Sequence, residues 1–325
     1  ASDFDVTDEM KIWNGYLKET DAINTFSGNF GYRPDKFFLN KLVSEGDTAA
    51  RWLTNAPDDR YALPTDYGVA SLMSFPYEGA ELHHIKLTYF KNNGQQVSEE
   101  VDNVYNKGGM GPYVSNSDWN ILHFGCYPAN IYNWSSTFKA LVDNKTLASY
   151  TVQGQTSAGV NITYPFTVKI LCPNQKGYEP IRLTWLNQWG TWDYYTFNMK
   201  SSKSISTKGS TYQQLGGTWN ESTYKPNSYK GGKKSFRVNA TEKIIMNTDF
   251  VNESESEWFE ELINSPEIYI LNGFKTDSPG SALTTYVIPV RLQTSSYTRK
   301  TVANDKLMQY TFEVEKSKTL RTQAV

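Results

Sequence analysis

Ile181-Arg182-Leu183-Thr184-Trp185-Leu186-Asn187-Gln188-Trp189-Gly190-Thr191-Trp192-Asp193-Tyr194-Tyr195-Thr196-Phe197 alternates on both sides of a turn. Ile181, Leu183 and Trp185 fall on one face of a strand, with Arg182 and Thr184 on the other. Asn187-Gln188-Trp189-Gly190 reverses the chain, and Gly190 frees the backbone there while Asn187 suits a left-handed turn position. Beyond it, Trp192, Tyr194 and Thr196 point one way, Tyr195 and Phe197 the other. The run is a β-hairpin. The alternating segment 164–170, ended by the turn Pro173-Asn174-Gln175-Lys176-Gly177, reads as a third strand of the same antiparallel meander.

Working outward, strand patterns recur towards the C-terminus. Tyr286, Ile288, Val290 and Leu292 share a face, and Pro289 among them points to an edge strand or a bulge. From Lys306 to Lys316, Met308, Tyr310, Phe312 and Val314 alternate with polar residues, as in a strand with one wet face. Helical signals are sparse. A short helix is expected near 255–264, where Trp258/Leu262 and Phe259/Ile263 sit four apart and Pro266 ends the run. Its start reads as a capping box at Ser254 with Glu257, or alternatively at Asn252 with Glu255. Weaker helical patterns cover 8–15 and 35–43. The fold class that follows is mainly β, with antiparallel sandwich or barrel-like domains and one or two short helices.

Between 201 and 234 the composition shifts to Ser, Thr, Gly, Lys and Asn. This divides the chain into an N-terminal β domain (1–200), a polar arm or linker (201–234) and a C-terminal β domain (235–325). The arm is punctuated by Tyr212, Leu215, Trp219, Tyr224 and Tyr229. Single apolar anchors in a polar strand are the pattern of a segment that docks on another subunit. A second cluster, Trp185, Trp189, Trp192, Tyr194 and Tyr195, is a candidate interface or glycan platform, weighed against the core of a small sheet.

Composition narrows the function classes. Aromatics make up 14% of the 325 residues, which favours sheets and disfavours disorder. The 32 basic and 34 acidic residues nearly balance, so no nucleic-acid partner is expected, and a near-zero net charge removes a barrier to dense self-association. No apolar run is long enough for a membrane span. Cys126 and Cys172 do not form a CxxC pair and read as two reduced, packed thiols, with a single disulfide as the alternative. His83 and His84 are strand neighbours whose side chains are expected on opposite faces, a poor metal site. GxSxG, HExxH, Walker A and GxGxxG motifs are absent from the sequence, and Asp58-Asp59 is too local for a pair of glycosidase carboxylates. No catalytic residue, metal or cofactor is expected. Ala1 at the N-terminus fits removal of Met before a small residue, with trimming of a longer precursor as the alternative.

Three stretches carry a resemblance. The strand, Leu186-Asn187-x-x-Gly190 turn and Asp193-aromatic-x-x-Phe197 strand resemble a recurring element of virion proteins of tailed bacteriophages. So do Trp52-Leu53-Thr54-Asn55-Ala56-Pro57 with Tyr67-Gly68-Val69-Ala70-Ser71-Leu72, and the C-terminal order of Trp258 to Ile263, Ser265-Pro266-Glu267-Ile268-Tyr269 and Val287-Ile288-Pro289-Val290. The resemblance implies a non-enzymatic structural subunit of a tail, baseplate or neck-associated ring. It would be assembled in the bacterial cytoplasm and hold copies of itself and other virion proteins as partners. The alternative it implies is a receptor- or carbohydrate-binding module of the virion, with a host surface glycan as partner.

Overall fold

The computed structural model describes residues 49–74, 82–102, 120–171, 177–219, 221–271, 287–294, 296–298, 308–318 and 321–324. The patterns at 8–15 and 35–43 and Cys172 lie outside them. The described fold is mainly β, with three short helices and open, mostly antiparallel sheets; no barrel closes.

One five-stranded sheet has the order β1 (Asp59–Ala62), β7 (Phe166–Ile170), β6 (Leu147–Gln155), β3 (His84–Lys91), β4 (Gln96–Asp102), with the β1–β7 pair parallel. Ile85, Leu87 and Tyr89 of β3 and Tyr150 and Val152 of β6 point into its core. They meet two helices there, α1 (Pro128–Trp134) and α2 (Ser136–Asp143). Phe138 of α2 packs edge-on against Tyr150, with ring centroids 5.4 Å apart. Neither helix was expected from the sequence. At seven and eight residues they are too short to display a helical stripe. The start of α2 is nonetheless capped, since Ser135 Oγ accepts a hydrogen bond from Phe138 N at 2.9 Å, whereas α1 begins at Pro128 with no side-chain cap. A small ribbon of β2 (Ala70–Ser74) and β5 (Asn120–Phe124) lies beside them.

The larger sheet has the order β10 (Ser202–Gln214), β11 (Gly232–Asn247), β14 (Thr311–Lys316), β13 (Val287–Leu292), β12 (Ile268–Leu271), β8 (Ile181–Leu186), β9 (Trp192–Phe197), and β15 (Arg321–Ala324) also pairs β11. Helix α3 (Glu253–Asn264) covers one face of it through Trp258, Phe259 and Leu262.

Several expectations change here. The β8–β9 hairpin forms, but 166–170 does not join it. β7 pairs β6 and β1 in the other sheet, so the three-stranded meander is not formed. A division near residue 200 does not follow the sheet either, because β8, before it, pairs β12, after it. The stretch 201–234 is not a linker; it holds β10, the connection 215–231 and the start of β11, which pairs β10. Val290 to Leu292 of β13 pair β14 while the strand's other side pairs β12, so this is not an edge strand. Pro289 is tolerated because it sits where the β14 ladder ends. Its carbonyl accepts from Ser317 N at 3.0 Å, so its missing N–H faces that same open end.

Helix α3 starts at Asn252, not Ser254. Asn252 Oδ1 accepts from Glu255 N at 2.8 Å, and Glu255 Oε2 accepts from Asn252 N at 2.9 Å. Asn252→Ala is expected to cost about 1 kcal/mol, read as a lower denaturant midpoint at unchanged slope. Ser254→Ala, which removes no cap, should cost less.

Candidate interaction surface

The first aromatic cluster is mostly core. Trp185 is fully buried and packs on Trp258 at 4.8 Å between ring centroids. Trp189 is buried as well, and its Nε1 donates to Asn55 Oδ1 at 2.9 Å. Trp192, Tyr194 and Tyr195 are half-buried. Tyr195 packs edge-on against Phe259 at 4.9 Å, Trp192 against Tyr269 at 5.6 Å, and Tyr194 beside Tyr127 at 5.2 Å. The expected alternation holds, yet both faces of the hairpin are covered. These five side chains do not make an exposed glycan platform.

The face of Arg182 and Thr196 meets the chain after β1. Asp66 Oδ2 accepts from Arg182 Nη1 at 3.1 Å, from Thr196 Oγ1 at 2.7 Å and from Leu63 N at 2.8 Å. Arg182 Nε donates to Tyr67 O at 3.0 Å. The guanidinium carbon lies 4.7 Å and 5.0 Å from the ring centres of Tyr127 and Tyr194, so the two aromatic faces supplement an incomplete hydrogen-bond set.

The hairpin turn is the second tie. Asn187 does not adopt a left-handed conformation; among the four turn residues only Gly190 does, at φ 71°. The Asn187 side chain works instead as a hub. Its Oδ1 accepts from Trp189 N and Thr191 N, both at 3.0 Å, and its Nδ2 donates to Leu53 O at 2.9 Å. Asp193 accepts from Thr54 Oγ1 at 2.6 Å and from Trp258 Nε1 at 2.7 Å. Burial pushes the Asp193 carboxyl above its ordinary range, against the pull of these hydrogen bonds. Glu261 of α3 accepts from Asn55 Nδ2 at 2.5 Å and from Gln188 N at 3.2 Å. Residues 53–55, the 187–193 turn and α3 therefore meet in one polar network, buried on the side of the turn and open to solvent at Asn55.

His83 precedes β3 and does not obey strand alternation. Its ring meets that of His84 with Nδ1 atoms 3.2 Å apart, against the expectation of opposite faces. Among the described residues, no group of three or more His, Cys, Asp and Glu side chains is placed to hold a metal ion. Cys126 is buried and unbridged, and its apolar surroundings raise the thiol to about 12.

The arm residues are placed differently. Every residue of β10 but Gln214 is exposed, so the outer part of the β10–β11 ribbon shows both faces to solvent. Ile205 is 62% exposed, Trp219 65%, Tyr229 70% and Phe236 52%; Tyr212, Leu215, Tyr224 and Val238 are exposed too. Ile205 and Val238 lie on the face that, at the base of the ribbon, buries Ile244 and Met246. The apolar surface of the core thus continues outward uncovered. The far end is folded rather than loose. Thr218 Oγ1 donates to Thr223 O at 3.0 Å and accepts from Lys225 N at 2.8 Å, and Trp219 packs on Tyr224 at 5.3 Å. The sequence singled out five of these exposed side chains, at 212–229, but not Ile205, Phe236 and Val238, which look like ordinary strand residues until the sheet leaves them without a cover.

No family model, curated protein or solved structure matches the chain.

Proposed function

We propose that this chain is a non-enzymatic assembly subunit that engages a neighbouring subunit through the β10–β11 arm, in the tail or a tail-associated ring of a tailed-phage virion. One observation carries the assembly reading: a long ribbon with large apolar side chains exposed on a stretch that has no core of its own. Beyond the pairing of residues 237–240 with β15 the outer end of the ribbon is only two-stranded; a two-stranded hairpin is marginal in water, and exposed apolar patches of this kind mark interaction sites. Buried aromatic anchors supply most of the energy of a typical interface. The virion setting rests on the resemblance of the 52–72, 181–197 and 258–290 stretches.

Limited proteolysis tests the reading. The free chain is expected to be cut within 203–238 and the particle-bound chain to be protected there. Equal cutting rates in both would overturn it. The paired substitution Trp219→Ala with Tyr224→Ala is expected to leave the melting temperature within about 2 °C, as for exposed positions, and to weaken incorporation into particles at least about tenfold. The same exposed ring pair is what favours the host-glycan alternative. Saturable sugar binding lost in this variant, with particle incorporation unchanged, would replace the assembly reading by the receptor one. Trp189→Ala cannot serve this purpose, because it would disturb the buried network.

A further inference from the structure

The arm differs from the rest of the chain in charge as well as in exposure. Residues 202–239 hold seven Lys and Arg against the single acid Glu221, a net of +6; the whole chain carries −2, so the remainder carries −8. Lys208, Lys225, Lys233 and Arg237 are all exposed on the ribbon or its end. The near balance of the composition thus combines a basic arm with a remainder that is net acidic. The acidic charge is densest at 249–267, which has seven Asp and Glu and no Lys or Arg. There Glu253, Glu257 and Glu267 are exposed around α3, and Phe250, 55% exposed, stands among them as an apolar contact.

Building on the assembly reading above, we propose that the partner of the arm is a second copy of this chain, with the basic, aromatic β10–β11 ribbon of one copy seated on the acidic surface around α3 of the next. Opposite potentials on the two patches select the register and suppress other pairings. The patches are different parts of the molecule, so the contact either closes reciprocally in a two-fold pair or runs head-to-tail into a closed ring or an open filament.

Charge exchange tests this on the full chain. One variant carries Lys208→Glu, Lys225→Glu and Lys233→Glu; the other carries Glu253→Lys and Glu257→Lys. Analytical ultracentrifugation is expected to show self-association of the wild-type chain. Each variant alone should associate more weakly than the wild type, and the equimolar mixture should associate again, because the unchanged basic arm of the second variant then meets the unchanged acidic surface of the first. Association by either variant alone at the wild-type level, or a mixture that stays monomeric while circular dichroism shows both folded, overturns the proposal. Salt gives a measurement that needs no variant: association should weaken at least about tenfold between about 0.05 M and 0.5 M ionic strength, and an insensitive wild type overturns it too. A wild-type chain that is monomeric throughout, yet protected at 203–238 in particles, removes the self-contact while leaving the assembly reading standing with a different virion partner.

Discussion

Replacing Asp66 with Ala is expected to destabilise the protein by about 3–5 kcal/mol, the cost of leaving a buried charge without its partner. The substitution strands the Arg182 guanidinium, whose side chain is 5% exposed, and removes the acceptor of Thr196 Oγ1 and Leu63 N. Urea denaturation gives the loss as a shift in midpoint. The companion experiment is Asp66→Leu with Arg182→Met, which removes both charges. It should cost less than the sum of the two single changes, since neither charge is then stranded. A loss under about 1 kcal/mol for Asp66→Ala would mean that water reaches the pair and that it does not tie β8 to the chain after β1.

The second large effect lies under α3. Phe259 is fully buried and touches five rings: Tyr195, Trp258, Phe312, Phe197 and Tyr310, with centroids 4.9 to 6.4 Å away. Phe259→Ala removes this packing at the centre of the larger sheet's core, and a loss of about 3–5 kcal/mol is expected. Phe236→Ala provides the contrast. The residue is of the same type but half-exposed on the arm, so a change within about 0.5 kcal/mol is expected in the free chain. Comparable losses at the two positions, in thermal or chemical denaturation, would refute the division between a packed core and an uncovered ribbon.

Arg182 shows where local reading stops. Its place opposite Leu183 and Trp185 is legible from alternation, and a polar residue there reads as a wet face. It is buried because Tyr127, Tyr194 and Asp66 cover that face, and Asp66 is 116 residues away along the chain. Nothing in the spacing of Asp66 and Arg182 announces the pair. Asn187 shows the reverse. Its turn was legible, but its part there was not a left-handed backbone; it is a side-chain hub that bonds Leu53, across the same kind of distance.

By itself the sequence determined what is local: the β8–β9 hairpin with Gly190 at its turn, a helix stopped by Pro266, the mainly β class, and the sparse apolar side chains of 201–234. Period and turn chemistry act over a few residues, so a single chain displays them directly. The tertiary structure alone decided which strands share a sheet, that β7 leaves the hairpin it precedes, that both faces of β8–β9 are covered, and that β10 is not. A period of two says which side chains share a face but not what lies over it. That depends on contacts between segments far apart in the chain, which burial energy selects and local pattern does not encode.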